Sequence, residues 1–509
     1  MPKIPNFPSL PAKLIDLIVF LAGGLLVFAF SPFYLSFLAF ISLACLFASW
    51  VSCTPKRAAW RGFIFGISSF GLGVSWVFVS INTYGNTNIF VSTSITALFV
   101  LGLSLFPALT GYLSSKLLQR SPQPRSYLRL AVIFPSIWVL IDLLRGWIFT
   151  GFPWLYIGYT QTNTFIGGLA AIGSVYLVSL ITALLSTLLV IVFIAPRLKH
   201  KICVLVIGLL ILDSSYLLDN ITWTNPLQHK PTSVTLVQGN VPQLMKWNPN
   251  AAEDILNTYY HLTKNNMSSL IFWPENALPL FAQQIGSYLE SVDALADTHH
   301  AALITGMPVT HDEGKTYYNG AMVLGEGHGE YLKHHLVPFG EYLPLKGLIG
   351  PVLQFMHIPM SNFSAGPLYQ PLLHMDNVKV ALSICYESAY PNQIRIQSKR
   401  SNLMAVISDD AWFGNSLGPW QHLQMAQMRA IENGRYLVQA TNDGITAIIN
   451  NHGEVIKEIP QFKSMVLKGS VLLFKGQTPW QRYGMIPVIM LLLFMLLLAI
   501  LYRRPFTKP

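Results

Sequence analysis

Eight long apolar runs constrain what this chain can fold into more than any other feature. A helix that crosses a bilayer needs about 20 apolar residues. Runs of about that length occur at 12–30, 33–51, 62–81, 89–114, 130–150, 165–195, 202–218 and 485–502. The pattern predicts an α-helical membrane bundle of eight transmembrane helices, with one large extramembrane domain between the seventh helix and the eighth.

Charge separates the membrane part of the chain from the extramembrane part. The first 212 residues contain two acidic side chains, Asp16 and Asp142, whereas residues 213–484 contain 21 acidic and 17 basic groups. The formal net charge of +10 therefore comes from the membrane part, and no basic stripe predicts a nucleic-acid partner. The predicted divisions are a membrane domain over 1–219, an extramembrane domain over 220–482, and a final helix and tail over 483–509.

The basic residues orient the predicted helices. Fifteen Lys and Arg residues lie in the chain ends and the connections on one side, and Arg145 alone lies in a short connection on the other. Because basic connections stay on the cytoplasmic side, both termini are predicted to be cytoplasmic and the large domain to lie outside. Arg145 either sits at the interface, paired with Asp142, or meets a phospholipid phosphate.

The stretch between the seventh and eighth runs alternates strand-like and helical segments. Strand-like segments occur at 234–237, 269–273, 302–305, 319–324, 379–384 and 403–408, and helical ones at 250–266, 282–299 and 419–433. Such alternation is typical of an α/β sandwich whose sheets are covered by helices. Gly325-x-Gly327-x-Gly329 precedes strand-like sequence, so it predicts a hairpin turn rather than a phosphate-binding loop.

Three ionisable residues each follow a predicted strand: Glu275, Lys333 and Cys385. Ligands of α/β sheets collect at strand ends, and a carboxylate, an ammonium and a thiol brought together there suffice for acyl transfer. Cys385 is also the only cysteine outside the apolar runs and their cytoplasmic flanks, so it has no predicted disulfide partner. The His-x-x-x-His spacing does not occur, and we expect no metal and no cofactor.

Distinctive local motifs surround these three residues. They are Trp273-Pro274-Glu275, the segment 331–342 (YLKHHLVPFGEY), Ile384-Cys385-Tyr386-Glu387, Asp410-Ala411-Trp412-Phe413-Gly414 and Gly418-Pro419-Trp420-Gln421-His422. Through them the chain resembles the nitrilase superfamily, whose Glu-Lys-Cys triad lies on an αββα sandwich. With the membrane helices included, it resembles more narrowly the apolipoprotein N-acyltransferases of Gram-negative bacteria, over essentially its whole length. The resemblance implies that Glu275 is the general base, Lys333 the oxyanion stabiliser and Cys385 the nucleophile.

The resemblance also supplies supporting site residues: Glu341, Tyr386, Glu387, Trp247 and Asn319. Glu341 is placed to brace Lys333 or Glu275, and the backbone N–H of Tyr386 to complete an oxyanion hole. Surface exposure is the alternative for the two glutamates, and plain packing or an interface anchor the alternative for Trp247. Asp409 stands where the family is expected to carry Asn, so its role stays open.

The implied reaction moves an acyl chain from a membrane glycerophospholipid, through a cysteine thioester, to the α-amino group of a diacylglyceryl-modified lipoprotein. The implied location is the bacterial inner membrane, with the catalytic domain in the periplasm. Three alternatives remain: a tethered amidase or nitrile-type hydrolase that uses water, a transporter or channel, and a structural anchor. The apolar segment 343–360 is interpreted as either a buried core connection or a lid beside the site.

Overall fold

The computed structural model describes residues 11–85, 87–119, 127–311, 314–342 and 362–501. The chain divides into two compact units. The helical unit comprises Met1–Ser75, Thr93–Ile221 and Tyr483–Pro509, and the sandwich unit comprises Trp76–Ser92 and Thr222–Arg482. The segment 343–360, predicted as a core connection or a lid, lies outside the described residues.

All eight apolar runs contain α-helices. Their bounds are Ala12–Val27, Phe37–Trp50, Pro55–Gly73, Ile89–Gln119, Tyr127–Arg145, Ala170–Ile194, Leu198–Asp219 and Ile486–Leu501. Among the described residues, four helical segments are long and apolar enough to cross a membrane: Ile89–Gln119, Tyr127–Arg145, Gly167–Ile194 and Leu198–Asp219. Pro55–Gly73 and Trp76–Tyr84, bent by 53° at a short break, together make a fifth.

The remaining three helices explain why the count of eight is not reached. Ala12–Val27, Phe37–Trp50 and Ile486–Leu501 have 16, 14 and 16 residues. At a rise of about 1.5 Å per residue they cover roughly 21–24 Å, less than the ~30 Å of a hydrocarbon core. Over the described residues the structure therefore supports an apolar helical unit with four or five membrane-length helices, and the eight-helix topology stays a prediction.

Arg145 is buried inside the helical unit. Its guanidinium lies 2.9 Å from Asp142 Oδ1, donates to the carbonyl oxygens of Phe152 and Trp154, and faces the Tyr156 ring at 4.7 Å. Only 3% of the residue is exposed. The predicted pairing with Asp142 is therefore present, in the interior rather than at an interface, and protein groups alone account for the charge.

The sandwich unit contains two large sheets. Its strands are β1 (Thr224–Pro226), β2 (Thr232–Gln238), β3 (Leu270–Phe272), β4 (Ala302–His311), β5 (Thr316–Gly325), β6 (Gly327–His328), β7 (Glu330–Leu332), β8 (Leu373–Met375), β9 (Val378–Ile384), β10 (Leu403–Ser408), β11 (Leu437–Thr441), β12 (Thr446–Ile449), β13 (Val455–Ile459), β14 (Met465–Val471) and β15 (Phe474–Gly476). One sheet has the order β14-β2-β3-β4-β5-β7 and the other β13-β12-β11-β10-β9-β8-β6. Within them β2, β3 and β4 are parallel, as are β9, β10 and β11.

Helices cover the sheets, as the α/β sandwich prediction requires. Their bounds are Gln243–Lys246, Ala252–Lys264, Gly286–Thr298, Pro391–Ser398, Gly418–Asn433 and Pro479–Tyr483. Ala252–Lys264 and Gly286–Thr298 bury apolar faces against the six-stranded sheet, and Gly418–Asn433 does so against the seven-stranded sheet. The predicted sandwich class is confirmed, and β10 has the predicted limits.

The segment Trp76–Ser92 groups with the sandwich unit although the sequence placed it in the membrane domain. Trp76 meets the Phe413 ring edge-on at 4.8 Å, and Ser80 Oγ donates to the Trp412 carbonyl oxygen at 2.7 Å. These contacts join the segment to the loop that follows β10. Hydropathy could not predict them because they depend on residues more than 300 positions away.

Candidate active site

The three predicted catalytic side chains follow strands of two different sheets. Glu275 lies three residues after β3 and Lys333 directly after β7, both in the six-stranded sheet. Cys385 directly follows β9 in the seven-stranded sheet. All three are buried, with 5%, 1% and 9% of each residue exposed. The site is therefore assembled from both layers of the sandwich.

Lys333 lies between two carboxylates. Its Nζ is 3.2 Å from Glu275 Oε1 and 2.9 Å from Glu341 Oε1. Asn319 Nδ2 donates to the same two oxygen atoms, at 2.6 and 2.7 Å. Burial alone would lower the pKa of Lys333, but Glu275 and Glu341 hold that pKa above its ordinary value. The ammonium is therefore charged at neutral pH.

Glu275 is held as a carboxylate by three donors. Besides Lys333 and Asn319, the backbone N–H of Asp409 donates to Oε2 at 2.9 Å. Burial on its own would raise the pKa of Glu275, but the Lys333 charge and the hydrogen bonds lower it below the ordinary value. Glu275 is thus ionised at neutral pH and can accept a proton.

Cys385 directly follows β9 and is the first residue of the short 3₁₀ helix Cys385–Ala389. Its φ is +51°, in the left-handed region that side chains other than glycine rarely adopt. Burial raises the pKa of the Cys385 thiol well above its ordinary value, the Glu275 charge raises it further, and Lys333 opposes both. The resting residue is therefore a neutral thiol that needs a base.

Glu387 is fully buried and links the two strand ends that carry Lys333 and Cys385. Its carboxylate accepts hydrogen bonds from the backbone N–H groups of His334 and His335, the backbone N–H of Ile384, the Tyr331 hydroxyl and Gln393 Nε2. All these bonds are between 2.6 and 3.1 Å long. The surface alternative for Glu387 is wrong, since none of the residue is exposed.

Three further predicted residues are Glu341, Tyr386 and Trp247. Glu341 has 12% of its side chain exposed and also accepts the Val337 N–H at 2.8 Å through Oε2. Tyr386 is buried, with its ring 5.8 Å from His335 and 5.2 Å from Tyr390. Trp247 is partly exposed, directly after the helix Gln243–Lys246.

Lys246, the residue before Trp247, reaches the site and was missed in the sequence. Its Nζ lies 2.5 Å from Asp409 Oδ2 and 3.2 Å from the Glu275 carbonyl oxygen. Burial raises the pKa of Asp409, and the Lys246 ammonium pulls that pKa back down. The acidic residue at position 409 is thereby given a buried cation as its partner.

Two members of the quoted motifs, Asp410 and His422, form a second buried pair. Asp410 Oδ1 is 2.9 Å from His422 Nδ1, and His422 Nε2 is 3.2 Å from the Cys385 carbonyl oxygen. Neither residue could be assigned a role from the sequence, because twelve positions and a turn separate them.

Both the apolar helical part and the sandwich part of the chain match known protein families. Residues 22–188 match the family model described as apolipoprotein N-acyltransferase N-terminal domain, and residues 233–473 match the carbon-nitrogen hydrolase model. An apolipoprotein N-acyltransferase from Coxiella burnetii is 40% identical over 487 residues, which cover 96% of this chain and 100% of that protein. One from Pseudomonas aeruginosa strain UCBPP-PA14 is 39% identical over 505 residues, covering 98% of this chain and 97% of that protein.

A solved structure, the carbon-nitrogen hydrolase from Helicobacter pylori G27, aligns with a TM-score of 0.35 and 17% identity over 52% of this chain and 95% of that chain. The relatives, by contrast, match from end to end, across the apolar helices and the sandwich alike. On that extent of identity, the chain belongs to the apolipoprotein N-acyltransferase family.

Proposed function

We propose that this enzyme moves an acyl chain from a membrane glycerophospholipid, through a thioester on Cys385, to the α-amino group of a diacylglyceryl-modified cysteine at the N-terminus of an apolipoprotein. The family supports N-acylation of lipoproteins in general. The donor, the thioester and the two-step order rest on the site and on its chemistry.

One observation carries the proposal: the Lys333 ammonium lies 3.2 Å from the Glu275 carboxylate, and the charges of both groups shift the pKa of the Cys385 thiol. A base that is ionised, a thiol that is neutral and a cation that stays charged fit the three roles of an acyl transfer. Glu341 and Asn319 hold the Lys333 ammonium and the Glu275 carboxylate in place without binding the Cys385 thiol.

In the first half-reaction, Cys385 Sγ attacks the ester carbonyl carbon of the phospholipid while its proton passes to Glu275. The carbonyl oxygen takes the negative charge, which Lys333 and the backbone N–H of Tyr386 stabilise. The ester C–O bond then breaks, and the glycerol oxygen leaves with the proton held by Glu275. The products are a lysophospholipid and an acyl thioester.

In the second half-reaction, the α-amino nitrogen of the acceptor attacks the thioester carbon. Glu275 takes one proton from the nitrogen, the C–S bond breaks, and the proton returns to the sulfur of Cys385. The product is an amide, and the enzyme regains its resting thiol. Because both steps create charge at the same oxygen, one oxyanion site serves both.

The membrane helices fit substrates that do not leave the bilayer. Burying each CH₂ is worth about 0.8 kcal/mol, so a sixteen-carbon chain contributes on the order of 12 kcal/mol. The distribution of basic residues supports a multi-pass protein of the inner membrane with cytoplasmic termini and a periplasmic sandwich unit. The eight-helix count belongs to the same proposal.

A labelled phospholipid tests the mechanism. The purified enzyme, incubated with phospholipid carrying a labelled acyl chain and no acceptor, should hold about one label per chain on Cys385, and the C385S variant should hold no thioester label. A lipidated peptide with a free α-amino group should then remove the label as an amide. Label that persists in Cys385→Ala contradicts the proposal, and rapid release of free fatty acid without acceptor favours the tethered hydrolase.

A further inference from the structure

A buried carboxylate–imidazole pair lies against the turn that presents Cys385, and the triad chemistry leaves it unused. Asp410 and His422 are each 1% exposed. Asp410 Oδ1 is 2.9 Å from His422 Nδ1 and also accepts the Ser408 hydroxyl at 2.7 Å. A carboxylate at this position fixes the ring orientation and keeps the proton on Nδ1.

The other ring nitrogen points at the backbone of the cysteine turn. His422 Nε2 lies 3.2 Å from the carbonyl oxygen of Cys385 and 2.8 Å from Ser388 Oγ. Burial alone would lower the pKa of His422, but the Asp410 carboxylate raises it above the ordinary value. With Nδ1–H directed at Asp410, the imidazolium has a second N–H, on Nε2, to donate to the Cys385 carbonyl oxygen.

That carbonyl belongs to the same peptide group as the N–H of Tyr386. The peptide is trans, so its C=O and N–H point in opposite directions. A donor on the oxygen therefore fixes where the N–H points and increases its polarity, because linked hydrogen bonds strengthen one another. At the other end of the turn, Glu387 Oε2 accepts the Ile384 N–H at 2.7 Å, so both flanks of the strained residue are held.

We infer that His422, oriented by Asp410, is a positioning residue that holds and polarises the Cys385–Tyr386 peptide so that the Tyr386 N–H stabilises the oxyanion of the acyl-transfer intermediates. This inference rests on the proposed function, which supplies the oxyanion. His422 acts only through the peptide and takes no proton from substrate.

Two reactions of the same sulfur separate this role from general support of the turn. Thioester formation from labelled phospholipid passes through an oxyanion, whereas alkylation by iodoacetamide displaces iodide and forms none. Loss of oxyanion stabilisation should slow acylation alone. A change in folding or in thiol activation should alter both rates.

The matched variants are His422→Asn, whose amide ends short of Nε2, and His422→Gln, whose amide nitrogen reaches about that position. We expect H422N to form the thioester about 10- to 100-fold more slowly while its alkylation rate stays within about 2-fold. H422Q should recover acylation to within a few-fold of the unmodified enzyme. Ser388→Ala, which removes the other Nε2 partner, should change acylation less than about 3-fold.

The outcomes are distinct. Equal losses of acylation and alkylation in H422N, no recovery in H422Q, or a loss in S388A as large as in H422N would overturn the inference. If the unmodified enzyme forms the thioester on Cys385 and the H422N variant forms it at the same rate, the inference is overturned and the proposed function stands. Unmodified enzyme that acquires no label on Cys385 would instead remove the proposed function.

Discussion

Replacing Lys246 by Met tests the buried pair with Asp409. The two side chains are 1% and 4% exposed, and their charged atoms are 2.5 Å apart. Without Lys246, the Asp409 side chain keeps the hydrogen bond that Asn442 Nδ2 donates to it at 3.2 Å. Breaking one partner of a buried pair costs roughly 3–5 kcal/mol, because the charge left behind is uncompensated.

Protonation of the Asp409 carboxyl, left without its Lys246 partner, limits that loss of stability. Adding a proton at pH 7 to an Asp with an ordinary pKa of about 3.9 costs roughly 4 kcal/mol, and roughly 1.5 kcal/mol at pH 5. The folded K246M variant then binds a proton that the unfolded chain does not, so its stability falls as pH rises, by about 1.4 kcal/mol per unit relative to the parent. The D409N variant should show the opposite trend, because only deprotonation relieves its unpaired ammonium.

Thermal unfolding in detergent between pH 5 and 8 measures both trends. At about 2–4 °C per kcal/mol, K246M should lose on the order of 10 °C at pH 7 and much less at pH 5. The double variant K246M/D409N, which has no buried charge at either position, should recover most of the loss. Glu326→Gln, in the exposed pair with His300, is the control and should not shift Tm measurably. A K246M penalty that is independent of pH, or a double variant as unstable as the two singles combined, would refute the reasoning.

Three further predictions concern the site itself. Glu275→Gln should slow thioester formation about 10²- to 10⁴-fold, measured with labelled phospholipid, while Lys333 keeps its contact with Glu341; a change below about 10-fold would exclude Glu275 as the base. Because its pKa is raised, Cys385 should react slowly with iodoacetamide at pH 7 and faster as the pH passes 9; a rate that is already at its plateau at pH 7 would show a resting thiolate. Glu387→Gln should lower stability by about 2–4 kcal/mol, since an amide N–H would face backbone donors, and an unchanged Tm would contradict the linking role.

Local sequence patterns predicted the fold class and several strands of this protein. A short apolar run predicted β10 at its observed limits, and the rule that ligands gather at strand ends selected Glu275, Lys333 and Cys385. The limits of β10 could be predicted because strand formation is a local property, and the catalytic roles of the three side chains stay a prediction.

Features that depend on the register of distant strands could not be predicted. Lys246 and Asp409 are 163 residues apart in the chain, so no local pattern could pair them. The left-handed φ of Cys385 is equally hidden, because side chains other than glycine give no signal for it. Hydropathy counted eight apolar runs, but it cannot measure how many residues of each run become helical.

Division of the reactive groups between two sheets couples chemistry to the final stage of folding. A chain in which only the six-stranded sheet has formed would hold the base and the cation without a nucleophile, and one with only the seven-stranded sheet would hold a buried, unactivated sulfur. Neither partial structure could carry out acyl transfer. Newly made protein would therefore stay catalytically inactive until the two sheets pack together.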